Sequence, residues 1–519
     1  MSQAYARSLP DAPAPFARAK QHAEATEQQL VGSEMINASH AEVEAYASDR
    51  GREWARLMLE DHLALRAERE ARVQVAGADG VERTRVRDTR RHLETVVGNV
   101  AVPRLGYQKP GYEDLHPLDA QMNLPRDSFS YGVRRFVAKE SATSSFDEVV
   151  ARLLDYTGAA VAKRQVEQLA VRAAQDFDAF YEGRRLECEP TGALLVISTD
   201  GKGIVMRREG LREATRRRAE QCAHKVETRL TPGEKRDRKR MAQVATVYTV
   251  DPWIRTMADV LHTLRDDETE RQRPKPRDKR VWASVARSAR AVIRDAFDEA
   301  LRRDPNKQRR WVVLVDGDLS QLAAVKKEAK RLGVKVTIIG DLVHVLEYLW
   351  KAARAIFGQT CAEAEEWVGN RLLGLLTGRT GGETARTIRW WAEQRAATID
   401  AAGRKAITRS CKYIASRKRT RLLRYADALR DGLPISTGVI EGACRYLVKD
   451  RMDRTGARWS IVGAEAVLRL RALRTSGDFD DYWSFHLGRE KERNHAKRYV
   501  DGAIPNALPV RGRHLRSIK

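Results

Sequence analysis

The sequence predicts an α/β core with a helical insertion, preceded by a helical module of helix-turn-helix type. Three observations carry that prediction. Residues 193–198 and 311–315 are almost unbroken apolar runs, the mark of strands buried on both faces of a sheet. Between the second run and a further one at 334–339, Leu322, Val325, Ala329 and Leu332 lie on one helical stripe that stops at Gly333. Strand, helix and parallel strand therefore follow in order, with a right-handed crossover expected. From 350 to 430 only helical spacing remains, as with Trp367, Leu372 and Leu373, or Trp390, Trp391 and Ile399.

Composition limits what such a chain does. At 519 residues it buries several domains' worth of core. Lys and Arg number 95 against 71 Asp and Glu, a net charge of +24, while the 42% hydrophobic content is ordinary. The excess points to a polyanionic partner, most simply nucleic acid. Cys188, Cys222, Cys361, Cys411 and Cys444 are odd in number and scattered, with no CxxC pair, so a reduced, cytoplasmic setting is expected rather than a disulfide or zinc framework. No stretch approaches the roughly 18 uncharged apolar residues of a membrane span. Residues 1–16 lack the charged start and apolar core of a signal peptide. Neither a membrane nor a small-molecule substrate is expected.

Along the chain, residues 1–35 show no sustained periodicity and read as a loosely ordered arm. An amphipathic helix follows over 41–70, with Trp54, Leu57, Met58 and Leu65 at helical spacing. Residues 95–102 read as a hairpin turning at Gly98-Asn99. In 129–182, Ser145 to Glu148 forms a capping box before an apolar stripe of Phe146, Val149, Val150, Leu153 and Leu154. Thr157-Gly158 stops that helix. A second runs over 161–179 with Lys163, Arg164 and Gln165 exposed at its start, where a recognition helix faces base edges. A plain helical hairpin with a solvated basic end fits the same spacing. Residues 243–250 are β-branched and read as a strand. Between Val205 and Arg240, 13 basic residues face 6 acidic ones with no long apolar stripe, which predicts a mobile basic loop.

Chemistry is expected where strands end. Asp200-Gly201 follows the first buried run and Asp316-Gly317 the later one, and the carboxyl ends of strands form the ligand-binding edge of an open α/β sheet. A glycine after each lets the chain turn away. Glu441, at the start of a helix and followed by Arg445, Lys449, Arg451, Arg454 and Arg458, can face the same point. Phosphodiester cleavage needs charge stabilised on attacking and leaving oxygens, which two Mg²⁺ ions achieve, and Mg²⁺ takes oxygen ligands. Three carboxylates in a basic surround suit that chemistry. The basic residues after Glu441 would contact phosphates, and Trp459 would either stack on an unpaired base or pack in the core. No GxxxxGK[ST] phosphate loop accompanies Lys202.

Asp200-Gly201, Asp316-Gly317 and residues 436–441 (STGVIE) resemble the aspartate-aspartate-glutamate triad of bacterial insertion-sequence transposases of the ISKra group. The resemblance covers about residues 90–490 and includes residues 144–148, 248–250, 341–344, 448–451 and 456–466. It implies a ribonuclease H-like catalytic domain in which Asp200, Asp316 and Glu441 hold Mg²⁺ or Mn²⁺, cleave element ends and join the freed 3′-hydroxyl to target DNA. It also implies double-stranded DNA as partner and a homo-oligomer, since two ends are cut together. On this reading the chain divides into an arm, helix and hairpin region (1–128), a helix-turn-helix-like module (129–190), the first part of the core (191–350), a helical insertion (351–430), the last part of the core with Glu441 (431–487) and a basic tail (488–519). The 125 residues between Asp316 and Glu441 accommodate that insertion, an arrangement similar to Mutator-like enzymes. Asp318 competes with Asp316 as second ligand. Asp341 and His344 resemble the Asp-x-x-His pattern of Mutator-like transposases, or form a helix cap with a half-buried histidine. A non-catalytic regulator derived from a transposase and a structure-specific nuclease of the same fold are the alternative functions.

Overall fold

The computed structural model describes residues 15–184, 191–221, 230–231, 234–235, 238–265, 273–358, 361–416, 422–454 and 456–508. Two compact units emerge: one comprises Met1–Glu182 with Asp478–Lys519, the other Gly183–Gly477. The second unit ends at Gly477, and the helix Phe479–Asn494 belongs to the first.

In the first unit residues 17–30 and 33–36 of the expected loose arm are helical, and residues 1–14 lie outside the described residues. Ala17–Leu30 is held to the long helix His40–Glu68 by Arg18, whose Nε donates to Asp61 at 2.8 Å. That tie is ionic, so no apolar stripe announced it. The long helix is as expected, with Ser39 and Glu42 capping its start, although Trp54 is exposed. β1 (Arg85–Thr95) and β2 (Gly98–Gln108) make the hairpin, each eleven residues long. Its turn is Val96-Val97, because Thr95 already pairs with Gly98, which takes a φ of +113°. The charged outer face of β1 hid the length of the strands. Helices Tyr131–Ser141, Phe146–Thr157 and Lys163–Ala173 pack on one another through Val133, Val137, Val149, Leu153, Val166 and Leu169. The capping box at Ser145 forms, and Gly158 stops the helix at a φ of +70°. Phe479–Asn494 completes this unit, with the Tyr482 hydroxyl donating to the Ala173 carbonyl and Tyr181 donating to Asp478 at 2.8 Å.

The second unit has a mixed α/β architecture around five strands ordered β5-β4-β3-β6-β7. These are β3 (Leu194–Val205), β4 (Lys239–Val250), β5 (Arg277–Ser284), β6 (Trp311–Val315) and β7 (Val336–Gly340). β3, β4 and β5 pair antiparallel, while β3, β6 and β7 run parallel. β3 is twice its expected length: Asp200 and Gly201 lie inside it, opposite Val244 and Gln243, so no turn follows Asp200. Part of the predicted basic loop is therefore strand, and Glu213–Gln221 is helix. Residues 222–229, 232–233 and 236–237 of that loop lie outside the described residues. β5 and the helix Ala289–Arg303 went unread, because charge marks both: Glu299, 2% exposed, joins Arg280, Arg302 and Arg303 at 2.6 to 2.9 Å. Helix Leu319–Leu332 links the parallel β6 and β7 and ends at Gly333, with φ at +60°.

Leu194, Val196, Val312 and Leu314 turn one sheet face into a single core with Val345, Leu349, Trp367, Leu372, Ile388, Ile399, Ile414 and Tyr425. The helices contributing those residues run from Leu342–Phe357 to Tyr425–Arg430, so they begin before the 351–430 stretch expected as an insertion. Leu373 and Trp390 remain exposed. Among the described residues no helix is long and apolar enough to cross a membrane. Cys361, Cys411 and Cys444 are free thiols.

Candidate functional site

The site grows out of a register. β3 and β6 pair from Leu195 with Trp311 to Ser198 with Leu314, a constant offset of 116 residues. Asp200 and Asp316 keep that offset, each two residues past the last pair: Asp200 still lies inside β3, whereas Asp316 directly follows the end of β6. Asp200 shares the parity of Val196 within β3 and so falls on the sheet face that the core helices cover. Beyond Ser198 the pairing stops, and the Gln321 amide bridges the gap by donating to the Thr199 carbonyl at 2.7 Å. Gly317, with φ at +89°, turns the chain out of β6, and Asp318 then caps helix Leu319–Leu332 through the amides of Ser320 and Gln321. Asp318 is exposed and takes part in that cap, whereas the Asp316 carboxylate accepts the Asp318 amide at 2.8 Å.

Glu441 arrives from the other side. Its helix, Gly438–Ala443, lies against β3 and β4. Thr437 precedes that helix but does not cap it, because its hydroxyl and its amide both donate to Asp341. Asp341, 1% exposed, also caps Leu342–Phe357 at the Val343 amide and takes the His344 Nδ1 at 2.7 Å. Asp341 is thus the helix cap that the second reading expected, with His344 half-buried beside it. The bond to Asp341 raises His344 to about 9, with burial opposing and the charges of Asp341, Glu347 and Asp316 adding, so the imidazole is cationic at neutral pH. Burial would raise Asp341, and its bonds to His344 and Thr437 reverse that, leaving it lowered.

Oxygen and nitrogen ligand atoms of Asp341, His344 and Glu441 all lie within 4.8 Å of one another. Asp200, Asp316 and Glu441 do not form such a group among the described residues. The expected trio is thus looser than anticipated, with Glu441 drawn toward His344. Mutual repulsion of three carboxylates and the attraction of an imidazolium account for that placement. Burial raises the Glu441 carboxyl, and the charges of Asp341, Glu347 and Asp200 raise it further against His344. Such crowding of like charge around an oxygen-rich donor set is what a hard divalent cation relieves. A second group, Asp176, His486 and Glu490, belongs to the first unit and is fully buried. Its carboxylates are taken by Arg134, Arg493, Gln175 and Asn494, which makes it a structural ion network.

Sequence reading missed three contributors. Cys444, one helical turn past Glu441, donates its thiol to Asp200 Oδ2 at 3.2 Å, while Gly201 N–H donates to Oδ1 at 2.6 Å. Burial keeps that thiol protonated, and Asp200 reinforces it. Tyr413 donates to the Asp316 carbonyl at 2.6 Å and stacks on Tyr348 at 3.7 Å between ring centres. Thr437 was visible only as part of a motif.

The expected DNA contacts divide. Arg445, Lys449 and Arg458 are exposed, as is Arg164. Arg451 and Trp459 are not: 3% and 6% exposed, they stack at 4.8 Å, and the indole donates to the Met452 carbonyl. Both pack in the core and cannot meet phosphate or base there. Lys163 pairs with Asp147 at 2.6 Å in an exposed bridge, and Gln165 accepts the Ala162 amide at 3.2 Å. No protein-family model matches the chain, and no curated protein matches it either.

Proposed function

We propose that this chain is a metal-dependent DNA transposase whose core is ribonuclease H-like. One observation carries the reading: Asp200 inside β3 and Asp316 directly after its parallel neighbour β6 keep the 116-residue offset of the paired strands, and the helix bearing Glu441 lies against the same sheet. Mixed strand order supports it, as does the charge of +24. Asp200, Asp316 and Glu441 are the ligands for Mg²⁺ or Mn²⁺, and Asp341 with His344 positions Glu441. Bound there, the metal supplies Lewis acidity to the phosphoryl oxygen and a lowered pKa to the attacking hydroxyl. The residues hold charge and geometry: Cys444 and Gly201 fix the Asp200 carboxylate, and Thr437 fixes the start of the Glu441 helix. DNA ends and target DNA are the substrates, and a second copy of the chain handles the second end.

The test is cleavage and joining of duplex DNA carrying the element's own ends, with Mg²⁺. Asp200→Asn, Asp316→Asn and Glu441→Gln should each lose cleavage on the order of 100-fold while binding DNA. Undiminished cutting by Asp200→Asn overturns the reading. Binding without cutting in the parent chain identifies a regulator, and cutting without joining a nuclease.

A further inference from the structure

Beside Asp200 opens a cleft that the reading above does not use. Its volume is about 420 Å³, and Gly201, Lys202, Gly203, Lys239, Lys449 and Asp453 line it. All three lysines are exposed, and none has an ion-pair partner among the described residues. Asp453 is the one carboxylate of the wall, so the cleft is positive on balance. Glycine lets side chains from β4 lie close over β3 on the face opposite Asp200: a Cβ on Gly203 would come within 2.9 Å of Lys239 Cδ, and one on Gly201 within 3.0 Å of Met241 Cε, so Lys239 reaches the cleft from that side. Side chains alternate along a strand, so Lys202 shares the face of Asp200 about 7 Å further on. That step is comparable with the separation of neighbouring phosphates on a nucleic-acid strand. Val448 and Met452 add apolar wall against which a sugar can rest.

We propose that this cleft seats the phosphodiester backbone of the strand being processed, one phosphate along from the group facing Asp200. The inference rests on the proposed function, because it needs Asp200 at the reacting centre. Lysine ammonium groups are point charges without base readout, so the contact is independent of sequence and works through counterion release. It sets the register of the strand, so that the scissile phosphate falls at the carboxylates.

The full chain is compared with Lys202→Gln/Lys239→Gln/Lys449→Gln and with a control, Lys326→Gln/Lys327→Gln/Lys330→Gln, three exposed lysines of helix Leu319–Leu332. Binding of a labelled single-stranded oligonucleotide is followed by anisotropy against salt, in EDTA. Each lost phosphate contact should take about 0.7 from the slope of log affinity on log salt. The cleft variant is expected to lose about 2 from the slope and at least about tenfold in affinity at low salt, with its unfolding midpoint unchanged. The control should lose less than half as much. An unchanged slope in the cleft variant, or equal losses in both, overturns the proposal, as does displacement of the oligonucleotide by an equal concentration of inorganic phosphate. Failures are separable: if Asp200→Asn still cleaves, the proposed function falls while the slope result stands. If Asp200→Asn is inactive and the cleft variant binds like the parent, only this inference falls.

Discussion

Asp341 has donors from three directions: the Val343 amide, the His344 ring, and the Thr437 amide and hydroxyl. Removing a buried acceptor of that kind strands a cationic imidazole and a turn, so Asp341→Ala should cost about 3 kcal/mol in denaturant unfolding. Asp341→Asn keeps the shape but not the charge, and should release His344 toward its ordinary value, seen as a lowered imidazole titration by NMR. Glu299 gives a pH signature. Burial would raise its carboxyl, but Arg280, Arg303 and Arg302 outweigh that and hold it at about 2 against an ordinary 4.5. The folded chain therefore binds this proton less tightly than the unfolded one. The resulting stability, about 3 kcal/mol, is present above pH 4.5 and drains away as pH falls toward 2. Glu299→Gln should flatten unfolding stability over that acid range, and an unaltered acid limb would count against the network's role.

Elements were legible in proportion to how apolar they are. β6 stands at its predicted 311–315, and the helix capped by Ser145 and the one stopped by Gly333 formed as read. Gly333→Ala, at a φ of +60° where a Cβ would meet only the flexible end of Lys307 at 4.0 Å, should cost about 1 kcal/mol through backbone strain, measurable as a lowered unfolding midpoint. What escaped was charged: β5, the Ala289–Arg303 helix and the far half of β3 hold their places through guanidinium pairs or strand pairing that no hydropathy pattern displays. The site was half legible. Asp200, Asp316 and Glu441 could be picked out as carboxylates near strand ends and a helix start, but Asp341 and His344 became Glu441's nearest companions because Thr437 ties two remote segments together. A pairing 96 residues apart leaves no local mark in the chain.

At the scale of the molecule, the net charge of +24 gives the proposed DNA binding a salt signature. Duplex affinity should fall by at least about 1,000-fold between 50 and 200 mM salt if six or more phosphates are contacted, and a salt-independent affinity would exclude a backbone-led interface. The first unit depends on a segment from the far end of the chain. Arg134, in Tyr131–Ser141, pairs with Glu490 at 3.0 Å, and both are buried. Ending the chain at Gly477 should therefore leave the first unit sensitive to protease while Gly183–Gly477 resists, as read by limited digestion.

That discontinuity also has a history in the ribosome. Residues 1–182 emerge first, yet the helix that closes them, Phe479–Asn494, is translated nearly 300 residues later. The middle of the polypeptide can finish folding while its beginning still waits, reversing the usual N-to-C order of maturation. A product stopped after Gly477 therefore carries the second unit without a finished first unit, and a frameshift within Phe479–Asn494 damages what was made first.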